Sequence, residues 1–368
     1  MTDKQSSQSE TDSLSDIRQR IDEIDTSIQQ LISERAGCAA KVAVVKQQQG
    51  ETGHFYRPER EAQVLRAVME RNTGPLNDDS IASIFREIMA SCLALEKPLQ
   101  VAFLGPEGTY SHCAASKHFG SQIKPQSVAS IEEVFRLVEA DGADFGVVPV
   151  ENSTEGVINH TLDLLMNSSL SISGEVAIRI RHNLLSKENS LTDVKRVYSH
   201  QQSLAQCRLW LDKNCPNAER IAVNSNAEAA VLASEHEHSA AIAGKLASQL
   251  YDMPVLNADI EDEPNNTTRF VVIGKYQAPA SGEDRTSLLI FAHNRPGSLF
   301  DLLKPLATRK ISMSNIESRP SRRGVWEYVF FIDVNGHQDD DILREAIVEI
   351  EKSSAMVKVL GSYPKAVL

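Results

Sequence analysis

Ile17, Ile21, Ile24, Ile28 and Leu31 recur at steps of four, three, four and three residues, the spacing that gives an α-helix one apolar seam. Ser13 followed by Asp16 supplies a capping signal, and the pattern meets no decisive stop before about Gln49–Gly50. A helix of that extent is roughly 50 Å long at 1.5 Å per residue. It is too long for a small isolated domain and points to a helical dimer. A second helix opens at Pro58 and carries Val64, Leu65, Val68 and Met69; a third runs from about Asp78 through Ile81, Ile84, Phe85, Ile88, Met89 and Cys92. Pro98 closes an all-α module over residues 14–97, and the polar residues 1–13 are expected to fray.

After Leu99 the period changes. Short apolar strands at 100–104, 145–150, 171–180, 196–198, 221–223, 240–242 and 269–273 alternate with helical stretches at 131–139, 204–211 and 227–234. This predicts an α/β domain over 99–276, built as two lobes around a cleft. The polar stretch 277–285 reads as a linker. Residues 286–368 then follow a β-α-β-β-α-β order, with strands at 287–292, 311–318, 326–334 and 357–363 and helices at 298–308 and 340–352. That is the ferredoxin-like α+β arrangement. The chain is therefore multidomain, as its 368 residues allow.

Charge and composition narrow the function classes. The net charge of −12 divides into −4, −10 and +2 over residues 1–97, 98–284 and 285–368, so no segment reads as a nucleic-acid surface. No run approaches the ~18 apolar residues of a membrane span, and the N-terminus lacks the basic-then-apolar order of a secretory signal. A cytoplasmic protein is expected. The five cysteines are odd in number and scattered without a CxxC, which fits free thiols better than disulfides or a zinc site. No metal or cofactor is called for.

Several polar residues stand where apolar or featureless ones would be ordinary. Arg35 takes the next position of the helical seam and Lys46 follows three turns later on the same face. Arg57, Arg60 and Glu61 open the second helix, and Glu96 continues the apolar face of the third. Arg35 could equally snorkel at a helix end, and Glu96 could be a solvated terminus. In the middle domain, Gly105–His112 follows a strand and opens a helix, Glu151–Gly156 follows another strand, and Tyr198–His200 and Asn266–Phe270 are further polar turns. Each alone is weak.

Taken together, these segments resemble known families. IRQRIDEIDTSIQQLISER, then Lys46 and RPERE, looks like the helical chorismate mutases; GPEGTYSH, VVPVENSTEG, VYSH and TTRF resemble prephenate dehydratase; ESRP after a glycine turn resembles the ACT regulatory domain. The resemblance implies a homodimer with exchanged long helices, acting on chorismate and prephenate and answering to L-phenylalanine. Arg18 would reach the partner subunit's site, Arg35 and Arg60 would hold substrate carboxylates, Lys46 would donate to the ether oxygen, and Glu61 would bind the substrate hydroxyl. Arg57, Cys92 and Glu96 stand where the best-known pattern has Asp, Ser and Gln. The last departure leads to the expectation that Glu96 works protonated, raised by burial and opposed by Lys46.

In the dehydratase the resemblance makes Thr268 the essential residue and Arg269 a carboxylate partner, with Asn152, Ser199 and Gln206 in the cleft. In the ACT domain it assigns phenylalanine contacts to Asn294, Gly297, Ser298, Leu299, Glu317, Ser318, Arg319 and Pro320. Feedback inhibition would fall chiefly on the dehydratase. Two other readings stand beside the bifunctional enzyme. One is a phenylalanine-responsive binding protein whose helices only dimerise, and the other an active dehydratase with an inactive mutase.

Overall fold

The computed structural model describes residues 13–48, 56–293, 295–320 and 328–367. The N-terminal segment is three helices, α1 (Leu14–Gln48), α2 (Pro58–Glu70) and α3 (Asp78–Ala94). The expected cap of α1 is reciprocal: Ser13 Oγ accepts from the Asp16 N–H at 3.2 Å while the Asp16 carboxylate accepts from the Ser13 N–H at 3.2 Å. Asn77 caps α3 by accepting from the Ser80 N–H at 2.8 Å. α1 packs on α3, and its seam stays open to solvent in a single chain, with Ile21 50% and Leu31 65% exposed. Burial runs instead along α2, where Ala62, Leu65 and Val68 are covered.

The middle domain folds as two lobes. The first lobe holds β1 (Gln100–Leu104), α4 (Tyr110–Phe119), β2 (Lys124–Val128), α5 (Ile131–Glu139), β3 (Phe145–Asn152), β4 (Gly156–Val157), α6 (Asn159–Asn167) and β5 (Ser171–Arg179). The second holds β6 (Asn183–Ser186), β7 (Arg196–His200), α7 (Gln201–Gln206), α8 (Arg208–Asn214), β8 (Glu219–Val223), α9 (Asn226–Glu235), β9 (Ser239–Ala243), α10 (Lys245–Leu250) and β10 (Val255–Asn257). The chain then returns to the first lobe as β11 (Thr267–Gly274), giving sheet orders β2-β1-β3-β11-β5, with β4 on β3, and β10-β6-β9-β7-β8. β11 is antiparallel to both β3 and β5 and so sits inside its sheet, with Thr268 opposite Asn152.

The polar stretch read as a linker is clasped rather than loose: Ser281 donates to Asp284, and Arg66 of α2 donates to Ser281 Oγ at 3.1 Å and to the Glu283 carbonyl at 2.8 Å. The last domain has the expected order, β12 (Asp284–Phe291), α11 (Ser298–Thr308), β13 (Met313–Pro320), β14 (Tyr328–Asn335), α12 (Asp341–Ser353) and β15 (Met356–Pro364), in an antiparallel sheet β13-β14-β12-β15. One sheet face packs on α11 and α12 through Leu288, Ile290, Ile332 and Val334. The other, through Leu289, Phe331, Leu360 and Tyr363, shares a single core with Ile172 and Val271 of the middle domain. A Cβ on Gly361 would lie 2.1 Å from the Ile172 carbonyl oxygen, so β15 and β5 meet at backbone distance.

Candidate active sites

The two lobes enclose a cleft of about 260 Å³. Thr268 enters it from β11 and is 8% exposed. Asn152 Nδ2 donates to Thr268 Oγ1 and to Asn266 Oδ1, both at 2.8 Å. Asn152 Oδ1 in turn accepts from the N–H groups of Thr154 and Glu155 at 3.0 and 3.1 Å. The amide is thus fixed in one orientation by its own loop, and Thr268 Oγ1 is met as an acceptor. Its proton is left for donation into the cleft. Asn152 is therefore a residue that orients Thr268.

From the second lobe, Gln206 Nε2 donates to Glu155 Oε1 across the cleft at 3.2 Å, and Gln206 Oε1 meets His182 Nε2 at 2.8 Å. His182 Nδ1 lies 3.2 Å from the Tyr110 hydroxyl. Burial lowers the His182 pKa, which leaves a neutral ring able to donate from Nε2 to Gln206. The glycine turn expected either as a plain strand-to-helix junction or as a ligand loop does line the cleft, through Gly105, Gly108, Thr109, Tyr110 and Ser111. Thr109 and Ser225 cap α4 and α9, whose first turns face the same space. Among the described residues no Lys, Arg, Asp or Glu lines this cleft.

Two expected cleft residues are corrected. Ser199 is fully buried, and its hydroxyl serves Asn226 Oδ1 at 2.9 Å and the Ile242 carbonyl at 3.1 Å, so it supports Asn226 rather than touching the cleft. Arg269 follows Thr268 on a strand, and alternation sends its side chain to the opposite face. There it meets Glu175 at 3.0 Å and Asp333 at 2.6 Å. Tyr110, Glu155 and Asn266 fall within the polar segments 105–112, 151–156 and 266–270 but carry no role of their own in the sequence, and His182 falls in none of them. A lone histidine or glutamate beside a strand carries no spacing signal, although Asn266 immediately precedes TTRF.

The helical residues divide. Arg18 and Arg60 are exposed and Arg35 and Glu96 half-buried, while Cys92 is buried in α3. Lys46 lies in α1, but its side chain is outside the described residues. Arg57 donates to the Tyr276 hydroxyl at 2.8 Å with its guanidinium 5.3 Å from the ring centre, a contact with the middle domain. Glu61 pairs with Arg86 at 3.2 Å, and Arg86 also donates to the Lys117 carbonyl of α4. Burial raises the Glu61 pKa from 4.5 to about 7, with Arg86 opposing.

In the last domain Gly297 is left-handed (φ +85°) before α11, the Ser298 hydroxyl donates to the Arg295 carbonyl at 2.6 Å, and Leu299 is 39% exposed. Ser318 and Pro320 are exposed, and Glu317 lines a small cavity against the middle domain. Asn294 lies outside the described residues. Arg319, an expected ligand contact, pairs in this chain with Asp163 of α6 at 3.2 Å.

Three family profiles match in series: chorismate mutase type II over residues 17–97, prephenate dehydratase over 101–278 and the ACT domain over 286–352. A bifunctional chorismate mutase/prephenate dehydratase of Pseudomonas aeruginosa is 52% identical over 361 residues, covering 97% of this chain and 99% of that one. Its counterpart in Stutzerimonas stutzeri is 53% identical, covering 98% and 100%. Among solved structures, a prephenate dehydratase of Arthrobacter aurescens in complex with L-Phe superposes with a TM-score of 0.66 at 32% identity, over 72% of this chain and 89% of that one. Helical module, two-lobed cleft and ferredoxin-like domain thus recur together and in the same order, and the chain belongs to the bifunctional chorismate mutase/prephenate dehydratase family.

Proposed function

We propose that this chain rearranges chorismate to prephenate in its helical domain and converts prephenate to phenylpyruvate in the two-lobed cleft, under feedback from phenylalanine at the ACT domain. The carrying observation is the Asn152–Thr268 hydrogen bond, which turns a threonine proton toward the space where substrate would lie. In the dehydratase step the ring carboxylate leaves as CO2, its bonding electron pair completes the aromatic ring, and the ring C–O bond breaks. The departing hydroxide takes up a proton and leaves as water. Thr268 stabilises that oxygen as it gains charge, and aromatisation supplies the driving force. The Gln206–Glu155 hydrogen bond ties the two lobes together, and the first turns of α4 and α9 offer N–H donors to the substrate carboxylates.

The mutase step is a pericyclic rearrangement that needs positioned charge and no nucleophile. Arg35 and Arg60 hold the substrate carboxylates, Arg18 comes from a second copy, and Lys46 and a protonated Glu96 donate to the ether oxygen. Cys92 backs this site from within α3. The open seam Ile17–Ile21–Ile24–Ile28–Leu31 is the surface on which the second copy's long helix lies, giving a homodimer. Phenylalanine binds near Gly297, Ser298 and Leu299 and the Glu317–Pro320 strand end. The enzyme works in the cytoplasm; among the described residues no helix is long and apolar enough to cross a membrane.

Purified protein fed chorismate alone, with prephenate and phenylpyruvate followed together after an alkaline quench, tests the reading. Phenylpyruvate that falls on adding phenylalanine supports both activities and the feedback. Accumulating prephenate removes the dehydratase, and unconsumed chorismate removes the mutase.

A further inference from the structure

Behind Thr268, on the far face of β11, lies a closed hydrogen-bond ring that joins the dehydratase strand to three strands of the ACT sheet. Arg269 Nη2 donates to the Tyr363 hydroxyl at 3.0 Å, and Nη1 donates to Asp333 Oδ2 at 2.6 Å. Ser287 Oγ donates its single proton to Asp333 Oδ1 at 2.5 Å, so the 2.7 Å contact between Ser287 and Tyr363 has the tyrosine as donor. Burial, with Asp333 beside it, raises the Tyr363 pKa and keeps that donor in place. Arg269 Nε completes its set on Glu175 of β5, which Arg285 of β12 also engages.

Two arginines thus meet two carboxylates. Glu175, Asp333 and Tyr363 are 7%, 8% and 0% exposed. Arg285 Nε is left buried without a partner, but in the ring of Arg269, Tyr363, Ser287 and Asp333 each polar group that points into it is paired. A closed buried ring of that kind is stiff, and loss of one member leaves a desolvated group unpaired. The same ACT sheet also grips α6, through Arg319 on Asp163 and Lys358 donating to the Ser168 carbonyl at 2.6 Å. α6 is tied by Thr161 to the Pro149 carbonyl, three residues before Asn152 on β3. Both strands that carry the cleft pair are therefore held from the ACT side.

We propose that Arg269 is a positioning residue for Thr268, and that the Arg269–Tyr363–Ser287–Asp333 ring carries a displacement of the ACT sheet into the dehydratase cleft. This rests on the dehydratase reading of the cleft. A shift of β12, β14 or β15 pulls on the guanidinium and turns β11. The neighbouring threonine hydroxyl then moves relative to the departing oxygen, where errors of an ångström cost on the order of a hundredfold in rate.

The test uses the full chain with Tyr363→Phe, which removes only the shared hydroxyl, and Asp333→Asn, which removes the charge but keeps an acceptor. Dehydratase kcat and KM are measured with and without phenylalanine, and chorismate mutase turnover and thermal midpoint are read on the same samples. Support is a dehydratase kcat lowered about tenfold or more with KM nearly unchanged, or a loss of the phenylalanine response, in either case with mutase turnover intact. Wild-type kcat and phenylalanine response in both variants overturn the proposal. So does a parallel fall of both activities with the thermal midpoint, which signals a merely structural role. If wild type turns over prephenate but ignores phenylalanine, the feedback reading alone fails and kcat decides the positioning role. If wild type does not turn over prephenate, the dehydratase reading itself has failed.

Discussion

Replacing Asn152 by aspartate changes one atom in the pair that aims Thr268, and it reverses the direction of a hydrogen bond. In the native chain Asn152 Nδ2 donates to Thr268 Oγ1 at 2.8 Å. An aspartate oxygen at that place only accepts, so the Thr268 proton turns inward to meet it and is withdrawn from the cleft. The other contacts survive: a carboxylate oxygen still accepts from the Thr154 and Glu155 N–H groups, and the Asn266 amide, 2.8 Å away, can turn to donate. The stability cost is then a few kcal/mol, most of it the desolvation of the new carboxylate. Loss of a donor aimed at developing charge costs roughly 3–4 kcal/mol, or about two to three powers of ten in kcat. Asn152→Ala should cost less in kcat. It orphans two backbone N–H groups but leaves Thr268 free to rotate its proton outward. Dehydratase kcat at saturating prephenate is the quantity to compare, because the added negative charge also weakens binding of a dianion. Mutase turnover on the same sample controls for folding. An aspartate variant within threefold of wild type, or one faster than the alanine variant, would refute the orientation argument.

Further outcomes follow from burial and close approach. Glu61, raised from 4.5 to about 7 by burial against the opposing Arg86, holds its proton more tightly folded than unfolded. It therefore removes stability as pH rises across that range, by roughly 3 kcal/mol at most. His118, lowered to about 3 by burial and by Arg86, has the opposite trend below its ordinary value, so the informative quantity is the difference between wild type and Glu61→Gln. That difference in thermal midpoint should change between pH 5 and pH 8, and parallel profiles would count against a buried acid here. Gly361→Ala places a Cβ 2.1 Å from the Ile172 carbonyl oxygen at a backbone φ of +156°. It should cost a few kcal/mol, seen as a lower calorimetric midpoint; an unchanged midpoint contradicts the close contact. Mutase activity should climb as pH falls and level out in Glu96→Gln, and a flat wild-type profile removes the protonated-glutamate step.

Local signals made much of this fold legible. The seam of α1 with its Ser13–Asp16 cap, the helix α5 and the six-element order of the last domain all declare themselves within short windows of sequence. What escaped depends on distant partners. The stretch 204–211 reads as one helix but breaks at Cys207, because Asp262 accepts from the N–H groups of Leu209 and Trp210 at 2.9 and 3.1 Å and starts α8 afresh. A cap supplied from fifty residues away leaves no trace nearby. β2 (Lys124–Val128) has few apolar residues because it is an edge strand, half open to solvent. In the site, the resemblance of TTRF points to Thr268, but which neighbour shares its face follows from strand alternation.

That alternation bears on how the cleft works. Arg57, Arg269 and Arg319 look like ligand-binding cations in sequence, since the proposed ligands carry carboxylates. Folded, all three hold domains together, on Tyr276, on Glu175 and Asp333, and on Asp163. The polar lining of the dehydratase cleft is left to amides, hydroxyls, helix N-termini and two histidines, of which His182 is kept neutral by burial. For the proposed reaction this is an advantage. The ring carboxylate gives up its charge on the way to CO2, so a fixed cation beside it would bind the substrate more tightly than the transition state and slow the step. Charge appears instead on the departing oxygen, and there a single aimed hydroxyl, held by Asn152 from the front and by Arg269 from behind the strand, strengthens its hydrogen bond as the bond to carbon breaks. A cleft lined by no lysine or arginine among the described residues and a threonine held on both sides are two parts of one arrangement, in which binding is kept modest so that the interaction that grows in the transition state can act.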